Sequence, residues 1–378
     1  MRIDYAHSER GTLGIEWELG LVDRRTRRLV SAADGILDRI RGTEIEPLIQ
    51  RELLLNTVEV TSSVHHRVGD AIEEIKRATD AVQHVAPEHV ALFCAGTHPS
   101  ESAADQPYTP STRYEKLIDR TQYWGRQMLI YGVHVHVGVD RPEYAIPVVA
   151  QLVMHYYPHL QALSAASPWW EGDLTGYASN RAMIFQQLPT AGLPPDLATW
   201  EEFEAFVGDE CATGVIGDVN ELRFDVRPAP RFGTVESRIC DGMPTSFEVA
   251  AIAALTQCLV VRLCERLDAD DPLPRLPPWH VRENKWRAAR YGLATEFIVD
   301  AANHERAVTD DLADLLTELE PVADRLGCSR ELASVDELVR AGASYQRQLR
   351  VASAPGASLD DVVDALLDEF AAGAPAGV

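Results

Sequence analysis

Five short stretches of this 378-residue chain alternate charged and apolar residues with a period of two. On an extended strand that period sends one kind to each face, and a helix cannot separate them. In "TLGIEWELGLVD", Glu16 and Glu18 share one face, opposite Ile15, Trp17, Leu19 and Leu21. "LLLNTVEVTS" sets Glu59 between Thr57 and Thr61, against Val58 and Val60. "GVHVHVGVD" carries His134 and His136 on one side and Val133, Val135 and Val137 on the other. In "ELRFDVRP" Arg223, Asp225 and Arg227 are backed by Phe224 and Val226, and in "GTVESRIC" Glu236 and Arg238 are backed by Val235 and Ile239. A chain with five such segments needs a sheet with one greasy face to cover and one polar face to use.

The composition of the polar face says what that use is. A solvated sheet face draws on Lys, Thr, Ser and Gln, whereas these segments offer mainly Glu, His and Arg. Two carboxylates on one strand face lie ~6–7 Å apart, close enough for one cation to bridge. Without the cation their repulsion favours protonation of one of them. Taken singly, Glu16/Glu18 reads as a wet strand face, and Glu236/Arg238 as an ion pair worth less than ~1 kcal/mol if exposed. His134 and His136 need polar partners if they are covered. Taken together, the carboxylates and imidazoles suit a hard divalent cation, Mg²⁺ or Mn²⁺, in a site for phosphate chemistry. The alternative His-x-His site, a metal centre in a cupin barrel, needs a later His on a return strand. Here Asp140 and Glu143 follow, no such strand comes after, and a helix-like region starts at Pro142.

Strand patterns fall at Thr12–Asp23, Leu53–Ser62, Val90–Gly96, Val133–Val139, Glu221–Arg227 and Gly233–Cys240. Helix patterns separate them at about Gly69–Ala86, Arg113–Met128, Pro142–Ser164, Thr199–Cys211 and Ser246–Leu267, with more from Val281 onward. The spacing is not that of regular βαβ units, and no glycine-rich phosphate loop follows a strand. The expected fold class is therefore α+β, with a mainly antiparallel sheet, one polar face and helices packed on the other. We expect a single domain over 1–378, with a C-terminal helical part at about 279–372 and a frayed tail at 373–378.

The balance of 35 Lys+Arg against 58 Asp+Glu, a formal charge of −23, disfavours nucleic acid and anionic membranes as partners. The apolar stretches Tyr144–Ser167 and Phe247–Leu263 are interrupted by polar residues and read as buried helices. Six cysteines without CxxC pairing read as reduced thiols of a cytoplasmic protein.

The motifs "TLGIEWEL", "NTVEV", "CAGTHP", "GVHVHVG", "ALSAASPWW", "GYASNRAMIFQQLP", "DVRPAPRFGTVESRICD" and "ENKWRAARYGL" follow one another from Thr12 to Leu293, and the resemblance they carry runs from about residue 12 to residue 352. In this order the chain resembles the type 2 glutamate–cysteine ligases, ATP-dependent carboxylate–amine ligases distantly related to glutamine synthetase, and looks closest to actinobacterial members. The resemblance implies a catalytic fold of the glutamine synthetase and guanido kinase kind. It implies a reaction in which ATP phosphorylates the γ-carboxyl of L-glutamate, after which the amine of L-cysteine, or another amine, displaces phosphate. By the same resemblance Glu16, Glu18, Glu59, His134 and Glu236 are metal ligands, and His136 contacts nucleotide phosphate. Arg227 and Arg238 then stabilise the γ-phosphate or acyl phosphate, and Arg181, with Asn180 nearby, clamps the amino acid's carboxylate. Glu59 is a further candidate as proton acceptor. Arg287 and Arg290 are substrate candidates with an equal claim to a structural role on a helix. ATP and Mg²⁺ (or Mn²⁺) are the expected cofactors, small molecules the expected partners, and a homodimer the expected assembly.

Overall fold

The computed structural model describes all residues, 1–378. Its centre is a seven-stranded sheet: β1 (Leu13–Asp23), β2 (Ile49–Arg51), β3 (Thr57–Thr61), β4 (Val90–Phe93), β5 (Gly132–Gly138), β6 (Val226–Ala229) and β7 (Thr234–Asp241). The strands run in the order β6-β7-β5-β1-β3-β2, β4 pairs with β1, and every pairing is antiparallel. The α+β class with an antiparallel sheet is therefore the observed one.

The apolar residues of the alternating segments do what their period requires. Ile15, Trp17, Leu19, Val58, Val60, Val133, Val135, Val137, Val235 and Ile239 are all buried. Helices α1 (Val68–Val85) and α4 (Ser246–Asp268) pack on that face. Between them in the chain come α2 (Thr112–Thr121) and the short α3 (Asn180–Phe185), which belong to the polar side. The Trp17 indole, inside this core, donates to Met243 O at 3.2 Å, so the large ring is buried without an orphaned N–H. One hydrophobic cluster runs from Leu13 to Leu366 and takes in the C-terminal helices.

By length and apolarity α4 could cross a membrane, yet 89% of its most apolar window lies buried inside the protein. Its Gln257 amide donates to Gly11 O at 2.6 Å and His66 O at 3.0 Å, which anchors the helix to the loops flanking the sheet. All six cysteines are free.

Four local readings of the sequence are corrected. The stretch Leu53–Ser62 is not one strand, because a reversal over 52–56 separates β2 from β3 and a run of leucines hides it. The helix expected over Pro142–Ser164 is broken by a π-helical turn at Leu152–Tyr156. Pro158 has no N–H to give the preceding turn, and the widened turn absorbs the loss. The helix expected over Arg113–Met128 stops at Thr121, where Gln122 turns to a φ of +49°. The tail is tied rather than frayed at its start, since Gly373 O accepts from Phe247 N at 3.1 Å and Ser246 Oγ at 3.3 Å.

The fifth correction touches the polar face itself. The segment Glu221–Arg227 is not a continuous strand. Arg223–Phe224 leaves the main sheet and pairs in parallel with Ala191–Gly192, and β6 begins only at Val226. Asp225, at the break, is buried away from Arg223 and Arg227. Its Oδ2 accepts from Lys285 Nζ at 2.6 Å and from Tyr157 Oη at 3.1 Å. A buried carboxylate is tolerated there because a buried ammonium and a phenol both serve it.

Candidate active site

Strand register assembles the polar face. Glu16 on β1 stands opposite His134 on β5, and Glu18 opposite Glu59 on β3. Glu236 on β7 stands opposite both His136 on β5 and Arg227 on β6. Directly opposed residues hold their Cβ atoms about 4.5–5.5 Å apart, so residues distant in the chain become neighbours. Of these, Glu16, Glu18, Glu59, His134 and Arg227, together with Arg238, line a cavity of about 1250 Å³, whereas His136 and Glu236 are buried and are not among its lining residues.

Three overlapping groups have ligand atoms within 4.8 Å of one another: Glu16/Glu59/His134, Glu16/His136/Glu236 and Glu18/Glu52/Glu59. Glu16 belongs to the first two. Its Oε2 lies 2.7 Å from His134 Nδ1 and its Oε1 3.2 Å from His136 Nε2. With His134 Nδ1–H donating to Glu16, its Nε2 presents a lone pair, and that buried atom has no hydrogen-bond partner. A buried imidazole nitrogen left bare beside carboxylates fits a ligand for a divalent cation.

The protonation tendencies divide along the same lines. Burial, then the charge of Arg238, pushes His134 down to about 4, so its ring is neutral and able to ligate. For His136, burial works the other way but is outweighed by Glu236 and Glu16, and its pKa is raised. Glu16 is buried too, yet hydrogen bonds from His134 and His136 hold it well below the usual carboxylate range. Glu18 is pushed up to about 7 by burial and then by Glu52. Glu52 and Glu59 are raised by burial as well, Glu59 with help from Glu52, Glu16 and Glu18. This face concentrates more negative charge than its own histidines and arginines neutralise, which is the electrostatic signature of a cation seat.

At the other end, Glu236 is fully buried and shared by two arginines. Its Oε2 accepts from Arg227 Nε at 2.6 Å, and Oε1 accepts from Arg238. Arg238 Nη1 also lies 3.4 Å from His134 Nδ1, so the guanidinium borders the cation seat.

Arg181 reaches the cavity from α3 and is itself buried, 3% exposed. Its position depends on Asp241 at the end of β7. Asp241 accepts from Ser167 Oγ and Ser179 Oγ, both at 2.7 Å, and from Ala166 N at 2.9 Å. Ser179 caps α3 by accepting from Ala182 N, and Ser167 Oγ accepts from Arg181 N at 3.0 Å. Gly132 lies directly under the guanidinium, and a Cβ there would collide with Arg181 Nη2. The glycine at the head of "GVHVHVG" is therefore set by close approach rather than by a turn.

Some sequence candidates do not reach the cavity. Asn180, next to Arg181, is not among its lining residues. Arg287 pairs with Glu283 at 2.8 Å and Glu305 at 2.7 Å, and Arg290 donates to Gly176 O; both are structural. The sequence reading in turn missed Glu52, Asp241 and the cavity-facing residues of α2. Glu52 sits in a reversal with no periodicity, so only its closeness in the chain to Glu59 could have flagged it.

The family model described as Glutamate-cysteine ligase family 2 (GCS2) matches residues 12–365. A protein of Mycobacterium ulcerans (strain Agy99), provisionally named glutamate–cysteine ligase 2, is 54% identical over 370 residues, 98% of this chain and 93% of its own. Its counterpart in Mycobacterium tuberculosis (strain ATCC 25618 / H37Rv) is 53% identical over 370 residues, 98% of this chain and 97% of its own. Among solved structures, glutamate–cysteine ligase of Francisella tularensis in complex with AMP has a similar fold. Its TM-score is 0.70 at 16% identity, covering 97% of this chain and 90% of that one. Match length and identity leave one assignment: the chain belongs to glutamate–cysteine ligase family 2.

Proposed function

We propose that this protein is an ATP-dependent carboxylate–amine ligase, joining the γ-carboxyl of L-glutamate to the amine of L-cysteine. The observation that carries the reading is the cation-competent Glu16/Glu59/His134 group in one cavity with Arg227 and Arg238, joined through Glu16 to the buried Glu16/His136/Glu236 group behind those arginines. A carboxylate attacking ATP meets a polyanion, so catalysis needs positive charge on both sides of the transferred phosphoryl group. Divalent cations held by Glu16, Glu18, Glu59, His134 and Glu236, with Glu52 added, would offset the charge of the phosphate oxygens.

This chain's own residues supply the rest. His136, whose pKa is raised, and Arg227 and Arg238 contact the phosphates. Arg181 binds the carboxylate of glutamate. The γ-carboxylate oxygen forms a bond to the γ-phosphorus as ADP leaves. The amine nitrogen then bonds to the acyl carbon, phosphate leaves, and the amine gives up one proton. Glu59, a carboxylate of this cavity opposite Glu18, is the candidate acceptor. The six free cysteines suit a reducing cytoplasm.

The test is ADP release by the purified protein with ATP, MgCl₂ and L-glutamate, with and without L-cysteine and a panel of other amines. Amine-dependent ADP release with formation of γ-glutamylcysteine is the expected result. No amine-dependent release in the whole panel refutes the ligase, and release with a different amine alone refutes the cysteine assignment.

A pH effect follows from the raised carboxylates. A group whose folded pKa lies above its unfolded value contributes stability at low pH and loses it as pH rises through the folded value. For Glu18 that window runs from the ordinary carboxylate range to about 7. Cations bind the ionised form, so Mg²⁺ should stabilise the protein more above about 7 than below it. Thermal unfolding on both sides of that pH, with and without MgCl₂, measures this, and an equal Tm shift at both would contradict the cation seat.

A further inference from the structure

Three anionic groups must be seated in this cavity if the ligase reading holds: the triphosphate, the carboxylate of the acid substrate, and any carboxylate on the amine. The lining arginines differ in how much of their charge is already used. Arg227 and Arg238 share Glu236. Arg181 lies deep, with its guanidinium held to the carbonyls of Arg238 and Ile239 at 3.4 Å. Arg113 and Arg223 line the same cavity and have no carboxylate partner. Arg113 only stacks on Tyr114, at 5.6 Å from its ring, and Arg223 only donates to Glu221 O at 3.0 Å.

These two arginines come from different elements of the cavity wall. Arg113 and Lys116 stand three residues apart on one face of α2, a helix with no buried residues that lies along the cavity. Arg223 comes from a two-residue strand that has left the main sheet to pair with Ala191–Gly192. Arg120, one turn beyond Lys116, donates to Val215 O and ties α2 to the segment beside Arg223. We propose that Arg113 and Arg223 form a two-guanidinium clamp that selects the amine substrate by its carboxylate. The proposal rests on the ligase reading and deepens it.

The electrostatics of the wall agree with the geometry. Burial, then the charges of Arg113 and Arg238, bring Arg223 down to about 10. A guanidinium crowded by others is stabilised by an anion between them, and two planar forks suit a carboxylate better than a point charge does. Lys116, next to Arg113, adds to the positive potential that draws the substrate in.

The matched pair L-cysteine and cysteamine tests this, because the two amines differ by one carboxylate. With ATP, MgCl₂ and L-glutamate, the wild-type protein should favour L-cysteine in kcat/KM by about 10²-fold. Arg113→Ala, at an exposed helix position, and Arg223→Ala should each reduce that ratio by about 10-fold, through KM for L-cysteine. Arg223→Lys should restore part of it. Variants that keep the wild-type ratio overturn the clamp, as do variants whose KM rises for ATP instead, which would assign the pair to the nucleotide. If the wild-type protein releases ADP with neither amine, nor with any amino acid and its decarboxylated counterpart, the ligase reading itself fails. Release that is indifferent to the carboxylate refutes the clamp alone.

Discussion

Glu16→Ala should abolish amine-dependent ADP release to within about 10⁻² of wild type or less, the largest loss expected from any single carboxylate. The reason is that Glu16 alone belongs to both the Glu16/Glu59/His134 and the Glu16/His136/Glu236 groups. Its two oxygens also hold the two imidazoles, at 2.7 Å and 3.2 Å, so its loss frees the tautomer of His134 as well as removing a ligand. Because Glu16 lines a cavity and is not part of the hydrophobic core, the fold should survive the change. Two measurements check this: steady-state ADP release, and the Mg²⁺-dependent Tm shift, which should shrink in the variant. Wild-type turnover with an undiminished Mg²⁺ shift would remove Glu16 from the cation seat.

Glu236→Gln is expected to damage stability and turnover together. The side chain is completely buried, and its two oxygens serve two guanidiniums. Burial raises its pKa, but Arg238 and Arg227 outweigh burial and hold it far below the usual carboxylate range. The neutral amide leaves two positive charges facing each other, and breaking a buried ion pair in this way costs about 3–5 kcal/mol. Turnover should fall by about 10²-fold, since both arginines lose the group that aims them. The pH sign is opposite to that of Glu18. A carboxylate with a depressed folded pKa contributes stability above its unfolded value and loses it only as pH falls through the depressed one. The gap between wild type and variant should therefore persist at neutral pH and narrow in strong acid. Urea unfolding at both pH values measures it; a variant with the wild-type midpoint at neutral pH would show that the two arginines do not depend on this carboxylate.

The two substitutions fail differently because the two glutamates were legible in different ways. Glu16 and Glu18 stand out in the sequence by strict alternation with Ile15, Trp17 and Leu19, and the structure puts these three in the core. The same logic placed His134, His136, Glu59 and Glu236 on one face, and the register holds them there, while Arg238 sits at a bulge between Ser237 and Cys240 and its N–H donates to Asp225 O at 2.7 Å. It failed at Asp225, where the strand breaks and the side chain turns to Lys285. A period of two is a statement about unbroken strands, and one irregular residue inverts it.

The sequence by itself determined the faces: which side chains are covered, which remain open to ligands, and hence an antiparallel sheet with a polar side. That information is local, since it needs only the two-residue repeat and the size of the apolar residues. Tertiary structure alone decided which strands are neighbours, and so which carboxylate meets which imidazole. It also brought in Glu52 from a reversal, Arg113 from a helix over the cavity, and Asp241 as the anchor beneath Arg181. Those three carry no periodic signal because their roles come from loop closure and packing across long stretches of chain, where pairing depends on the shape of the whole core.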